Sequence, residues 1–238
     1  MSKKSNRNKQ PFVIAIDGPA GSGKGTVAKK LASKLNFHYL DSGAIYRIIA
    51  YAAKKKNINS KSVDELINLV KFYAWSNMGK NSKITFSENN VLLDGDKISN
   101  FIRTESIGKL ASEIAVHDKL RASILQYQRS FCKWPGLVAE GRDMTSVVFP
   151  DANLKIYLNA SVDERVKRRY KQLISKGNDV NLSDLADEIE IRDRRDKERE
   201  VSPLVIVKEA YVIETDNLNE TKTVTKILSL FNKKINRY

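Results

Sequence analysis

Phe12-Val13-Ile14-Ala15-Ile16-Asp17-Gly18-Pro19-Ala20-Gly21-Ser22-Gly23-Lys24-Gly25-Thr26 decides the fold of this chain. Five apolar residues read as a buried strand, the glycine-rich segment as a loop, and Val27 to Leu35 as a helix. Strand, loop and helix are the setting in which a G-x4-G-K segment cradles phosphates. Its glycines let consecutive backbone N–H groups turn inward, the helix N-terminus adds positive partial charge, and Lys24 supplies a point charge. A glycine-rich turn with a chance lysine would need neither flanking element. The residues Gly18, Pro19, Ala20, Gly21, Ser22, Gly23, Lys24, Gly25 and Thr26 are therefore expected to bind a nucleoside triphosphate.

The residue after Lys24 is Gly25, where the general pattern has Ser or Thr, and the hydroxyl comes one position later at Thr26. GTPases and most ATPase motors use that first hydroxyl on Mg²⁺. The departure argues against them, and the G-K-G-T ending resembles the nucleoside monophosphate kinases.

Outward from the loop, short apolar runs alternate with longer amphipathic ones. Phe37 to Leu40, Leu137 to Ala139, Leu154 to Leu158 and Tyr211 to Ile213 join Phe12 to Ile16 as five expected strands. Strands separated by helical segments predict an α/β fold with a parallel sheet and helices on both faces. Ligands are then expected at the C-terminal ends of the strands. Gly18 to Thr26, Asp41 to Gly43 and Glu140 to Asp143 follow three such ends, which predicts one shared cleft. Lys83 to Ile98 differs in character: Thr, Phe, Ile and Val cluster around Asn89-Asn90 and Asp94-Gly95. This predicts a small antiparallel meander inserted into the core.

At 238 residues the chain suffices for one good core with a small insertion, and 41% hydrophobic residues argue against global disorder. No apolar stretch approaches a membrane span and no charged-then-apolar leader is visible, so a cytoplasmic location without membrane association is expected. Cys132 is the single cysteine, which excludes an intramolecular disulfide and a cysteine-rich zinc site and suggests a buried, inert thiol. His38 and His117, the only histidines, are too few and too far apart for a histidine metal site or triad. The net charge of +14 suits nucleic acid, and equally an enzyme that gathers two polyanionic nucleotides. Four of those charges, Lys3, Lys4, Arg7 and Lys9, lie in a polar tail over residues 1–11 that reads as a disordered, solubilising extension.

Ser161-Val162-Asp163-Glu164 reads as a capping box that opens a helix running to Gly177 and carrying Arg165, Lys167, Arg168 and Arg169. A second helix is expected over about Ser183 to Glu200. Glu188 to Glu200 holds five positive and six negative side chains, a composition that favours a solvated helix laced with alternating charges over a binding one.

Five separated blocks, in order, resemble the bacterial cytidylate kinases, a branch of the nucleoside monophosphate kinases. They are Ile16-Asp17-Gly18-Pro19, Leu40-Asp41-Ser42-Gly43-Ala44-Ile45-Tyr46-Arg47, Gly141-Arg142-Asp143-Met144, Val147-Val148-Phe149-Pro150-Asp151-Ala152, and Arg192-Asp193-Arg194-Arg195-Asp196 with Arg199. The resemblance spans all but the first 11 residues and the last few. It implies a single kinase domain over 12–238, with a five-stranded parallel sheet, a monophosphate-binding region near 43–121, a β insert near 80–100 and a mobile lid near 161–200. It also implies transfer of the γ-phosphoryl of ATP to CMP or dCMP with Mg²⁺ present, by a chain expected to act as a monomer on small-molecule nucleotides.

Carried onto this sequence, the resemblance assigns catalysis to Lys24, Arg142, Arg192 and Arg199. Arg47, Arg142 and Arg199 are to grip the acceptor phosphate, with Ser42 beside the acceptor nucleotide. Arg192 and Asp196 are to meet the sugar hydroxyls, Arg168 to meet ATP from the lid, and Ser112, Arg121 and Asp143 to read the base. Glu140 is to hold the metal through water. Permanently charged, bidentate arginines suit phosphoryl transfer, which needs positioning and charge neutralisation.

Two stretches depart from the family's usual pattern. Thr145-Ser146 stands where Gly-Thr is usual, so Thr145 would be strained if that position required positive φ. Glu214-Thr215-Asp216 replaces a usual Asp-Ser/Thr-Thr run near the adenine site. A broader UMP/CMP kinase or an AMP kinase would share the loop and lid; the base-reading trio and the meander speak against them. A P-loop protein that binds nucleic acid is the more distant alternative raised by the charge.

Overall fold

β1 (Phe12–Asp17) is the middle strand of a five-stranded sheet in the computed structural model, which describes residues 10–75, 83–86, 90–175, 177 and 179–236. The sheet order is β2 (His38–Asp41), β6 (Gly136–Gly141), β1, β7 (Leu154–Asn159) and β8 (Tyr211–Glu214). β1 runs parallel to β6, with Asp17 opposite Gly141, and to β7, with Asp17 opposite Tyr157; β7 runs parallel to β8. The three central strands, buried on both faces, read as near-continuous apolar runs, whereas the edge strands β2 and β8 keep exposed residues and were read from short runs. A second sheet of three strands, β3 (Ile84–Phe86), β4 (Val91–Leu93) and β5 (Asp96–Lys97), is antiparallel, as expected of the meander. Asp94 and Gly95, at φ 51° and 88°, make the tight turn between β4 and β5. Asn89 and most of the tail over 1–11 lie outside the described residues.

The chain divides into two compact units. The first comprises residues 1–40, 131–193 and 204–238. Its core packs Ile14, Ile16, Val138, Ile156 and Leu158 of the sheet against Val27, Ala28 and Leu31 of α1 (Lys24–Leu35) and Val224, Ile227 and Phe231 of α8 (Glu220–Ile235). Within it, α6 (Val162–Ile174) and the start of α7 (Leu182–Glu198) share a smaller core of Leu173, Leu185 and Ile189. The second unit comprises residues 41–130 and 194–203 and holds the meander with α2 (Ser42–Lys55), α3 (Val63–Tyr73), α4 (Glu105–Ile114) and α5 (Asp118–Arg129).

Element ends differ from the sequence reading for identifiable reasons. Phe37, read as strand, spends its N–H on the carbonyl of Ala32 at 2.9 Å, closing α1 behind the left-handed Asn36. β2 therefore starts at His38. α1 begins three residues earlier than read, because the helix takes its first turn from the loop itself. α6 ends at Ile174, ahead of the Gly177 that was read as its stop. α7 ends at Glu198, which leaves Arg199 outside the helix, its Nε donating to the carbonyl of Ser202. The capping box is half formed: Ser161 Oγ accepts from Glu164 N at 3.3 Å, while Glu164 binds Arg168 and the N–H of Ser161 goes to Asp216.

Candidate active site

Gly21 and Gly23 hold φ of 79° and 86°, values a side chain would strain, and this backbone course bends the loop over the start of α1. The N-cap of α1 is Gly23, which has no side chain to cap the helix, and this suits its N-terminus to an anion. Lys24 is buried at the first helical position, its Nζ donating to the carbonyl of Pro19 at 3.1 Å. Ser22 Oγ is buried without a hydrogen-bond partner, a donor that a phosphate oxygen would satisfy. Gly25 leaves room for a carboxylate: a Cβ there would lie 3.2 Å from Glu140 Oε1. Glu140 sits on β6, buried, with Tyr39 Oη at 3.4 Å.

Two arginines of α6 brace this loop. Arg165, 3% exposed, donates to the carbonyls of Ala20 and Ala160 and forms a two-pronged pair with Asp193, 8% exposed. Arg168 donates to the carbonyl of Thr215 at 2.7 Å and to its hydroxyl at 3.1 Å, and that hydroxyl also contacts the carbonyl of Asn159 at 2.9 Å. Thr215, the residue of this run that keeps the usual hydroxyl, thus ties the end of β8 to the loop side of α6. Burial pushes the Tyr157 phenol up; Asp193 and Asp17 add to the rise, while Arg142 and Arg165 oppose it.

Asp17, 1% exposed, closes β1 with three donors on its carboxylate. Met144 N gives 2.9 Å to Oδ1, and Thr145 N and Oγ1 give 2.7 and 2.6 Å to Oδ2. Met144 to Val148 form one π-helical turn. Thr145 is not at positive φ, so the condition under which it would be strained is not met. Asp143 precedes the turn, buried, and its carboxylate does not cap it.

Burial raises the Asp17 carboxyl from 3.8 to about 6; the Thr145 hydroxyl and backbone oppose the rise and Asp143 adds to it. Between those pH values the folded chain holds this proton more tightly than the unfolded chain. Stability linked to Asp17 is therefore complete below the lower value and is lost as pH rises through about 6. Urea denaturation of wild type and Asp17→Asn at pH 4 and 7 is expected to show the difference moving in favour of the variant by up to about 3 kcal/mol. A pH-independent difference would contradict this.

The remaining predicted residues lie in the second unit, apart from Arg142 and Arg192, which with Asp143 lie in the first. Arg47 on α2 donates to the carbonyls of Ile102 and Thr104, and its guanidinium occupies the space that a Cβ at Gly108 would fill. Ser42, at the start of α2, is buried and accepts from Gln128 Nε2 at 2.8 Å. Arg121 on α5 is buried, donates to the carbonyl of Ala115 and lies over the Tyr46 ring. Ser112 on α4 accepts from Arg195 Nη1 at 3.1 Å. Asp196 is buried on α7. Arg199 lines an open pocket of about 650 Å³ with Arg195 and Lys119 as further cations, His117 beside them, and Asp64 and Glu198 among its acids. The sequence reading had not singled out Asp17, Gln128, Thr215 or the pairing partners of Arg165 and Ser112. Each acts through a contact distant in sequence, which leaves no local pattern.

Cys132 is half-buried, less enclosed than expected, with burial raising its thiol. His38 and His117 each face a backbone carbonyl, of Trp134 and Ser60. Among the described residues no three His, Cys, Asp or Glu side chains gather as a metal cage, and no helix is long and apolar enough to cross a membrane.

Comparison with known proteins bears directly on this arrangement. Residues 14–233 match the family described as cytidylate kinase. Cytidylate kinase of Polynucleobacter asymbioticus is 48% identical over 94% of this chain and 97% of its own length. That of Cupriavidus necator is 46% identical over 92% and 95%. A solved shikimate kinase from Bacteroides thetaiotaomicron covers 93% of this chain and 98% of its own at 14% identity, with a TM-score of 0.40. The matched span runs from within β1 into α8 and so takes in the phosphate loop, Glu140, the Asp143 turn and the arginines expected at the site: the chain belongs to the cytidylate kinase family.

Proposed function

We propose that this chain transfers the γ-phosphoryl of ATP to CMP or dCMP, giving ADP and CDP or dCDP, in the cytoplasm and as a monomer. The observation that carries the reading is the uncapped, glycine-bent loop at the head of α1, with Lys24 at its first position, in a chain of this family. In this reading residues 12–238 act as one kinase domain, the region near 43–121, with its insert near 80–100, takes the monophosphate, and 161–200 is the lid.

The loop N–H groups, Ser22 and Lys24 bind the donor phosphates, with Arg168 meeting ATP from α6. The monophosphate is largely dianionic at neutral pH, its second pKa lying near ~6, so its oxygen attacks with little help from a general base. What remains is to hold donor and acceptor in line and to neutralise spreading negative charge. Lys24, Arg142, Arg192 and Arg199 supply that charge, Arg47 anchors the acceptor phosphate beside Ser42, and Arg192 and Asp196 hold the sugar. Mg²⁺ fits the buried Glu140 carboxylate beside the space left at Gly25, since this ion is commonly held by one or two carboxylates, water and substrate phosphates. When bound with ATP it neutralises phosphate charge.

Ser112, Arg121 and Asp143 read the base. Cytosine offers an amino donor where uracil offers an oxygen, so a carboxylate acceptor favours cytosine. Asp143→Ala is expected to raise the KM for CMP about 10- to 100-fold and leave the KM for ATP nearly unchanged. The test is ADP release from ATP and Mg²⁺ with CMP, dCMP, UMP and AMP supplied separately. Turnover confined to CMP and dCMP supports the reading; equal turnover with UMP would make this a broader pyrimidine kinase, and none with any of the four would overturn it.

A further inference from the structure

The turn that follows Asp143 is held from both ends. Its own carbonyl accepts from Val147 N at 2.9 Å and Val148 N at 3.0 Å, and Phe149 N reaches the carbonyl of Met144 at 2.8 Å. On the other side, the two peptide N–H groups directly after Asp143 point at Asp17, a residue more than a hundred positions earlier. Asp17 in turn is fixed at the end of the central strand, one residue before the phosphate loop, opposite Gly141 across the β1–β6 ladder. The Thr145 hydroxyl makes the shortest of the three contacts, at 2.6 Å. Asp17, Asp143, Met144 and Thr145 are all buried, so a lost donor is not made good by bulk solvent.

We propose that Thr145 is a positioning residue for the acceptor base: its hydroxyl, bonded to Asp17, locks the turn that aims the Asp143 carboxylate. The inference rests on the reading of Asp143 as the cytosine acceptor. A carboxylate has capacity for about four hydrogen bonds, and the three that Asp17 receives from protein donors all come from this turn. With the hydroxyl present, Oδ2 receives two donors from one residue, and the backbone of Thr145 cannot rotate without breaking both. With the hydroxyl removed, one N–H alone holds that oxygen, and the peptide next to Asp143 gains freedom. The cost falls on recognition of the base rather than on the phosphate loop, because the turn touches Asp17 through its side chain and leaves the loop N–H groups unaltered.

Thr145→Val keeps the shape and deletes the donor, Thr145→Ser keeps the donor, and Thr145→Ala covers the case in which valine packs badly. Steady-state kinetics of the full chain with ATP against CMP and UMP, alongside urea denaturation, separates the roles. The valine and alanine variants are expected to raise the KM for CMP about 3- to 10-fold, with the KM for ATP within twofold of wild type and the CMP-over-UMP preference reduced. The serine variant is expected to return the KM for CMP to within about twofold. Equal change in both KM values, or loss of stability with an unchanged KM for CMP, overturns the positioning role and leaves Thr145 as a packing residue. If wild type itself shows no preference for CMP over UMP, the reading of Asp143 fails and this role falls with it, an outcome visible before any variant is made.

Discussion

Lys24→Met is expected to lower kcat for phosphoryl transfer by about 10²- to 10³-fold, the loss typical when one preorganised charged donor is removed from a transition state. The effect is large because the ammonium acts where water is scarce. Lys24 is 7% exposed, so its charge is little screened. It stands at the first position of α1, where the positive end of the helix dipole adds to the same field. In the structure the ammonium bonds the carbonyl of Pro19, within the loop it would serve, so a short swing suffices to reach a phosphate. Methionine retains the length and apolar contact of the lysine stem, which keeps the loop packed and confines the change to charge. Stopped assays at saturating ATP and CMP, with urea denaturation as a control on folding, read the effect. A kcat within about fivefold of wild type would mean that Lys24 serves only to brace the loop.

Arg165→Met is expected to destabilise the first unit by about 3–5 kcal/mol, because it strands Asp193 as a buried charge without its partner. Arg165 offers three nitrogens to four acceptors: both carboxylate oxygens of Asp193 and the carbonyls of Ala20 and Ala160. Methionine fills much of the volume and satisfies none of them. Replacing both partners, as in Arg165→Met with Asp193→Leu, is expected to regain a good part of the loss, since a buried ion pair exchanged for apolar groups is often close to neutral. The double-mutant cycle therefore yields a coupling of several kcal/mol by chemical denaturation. A loss below about 1 kcal/mol in the single variant would show that Asp193 finds other donors. Because Arg165 also holds the carbonyl of Ala20, the single variant is expected to weaken ATP binding as well.

These two residues mark how far the sequence could be read. Lys24 was legible because its whole neighbourhood is local: strand, loop and helix follow one another, and the spacing of glycine and lysine carries the chemistry. The five core strands were legible for a similar reason, as was the Asp94-Gly95 turn, where two positive φ values call for these residue types. Arg165 looked like one basic residue among many on a charged helix, and Asp193 like one acid in a run of mixed charge. Composition favoured a solvated helix there, yet these two are buried, because partners separated in the chain meet only once α6 and α7 pack on Leu173, Leu185 and Ile189. Thr145 is the opposite case. A side chain in place of the usual glycine would be strained at positive φ, whereas Thr145 is not at positive φ and uses the added hydroxyl on Asp17.

The placement of β1 at the centre of its sheet also governs when the site can exist during synthesis. Phe12 to Asp17 leave the ribosome early, yet both neighbouring strands, β6 and β7, begin at Gly136 and Leu154. Thr215, which joins the end of β8 to Arg168, emerges later still. A nascent chain stopped at residue 130 carries the complete phosphate-loop sequence and most of the second unit, but none of the strands that hold β1 in place. The second unit, nearly continuous from 41 to 130, closes over shorter stretches of chain than the β1–β6 and β1–β7 ladders, which sets its assembly ahead of theirs.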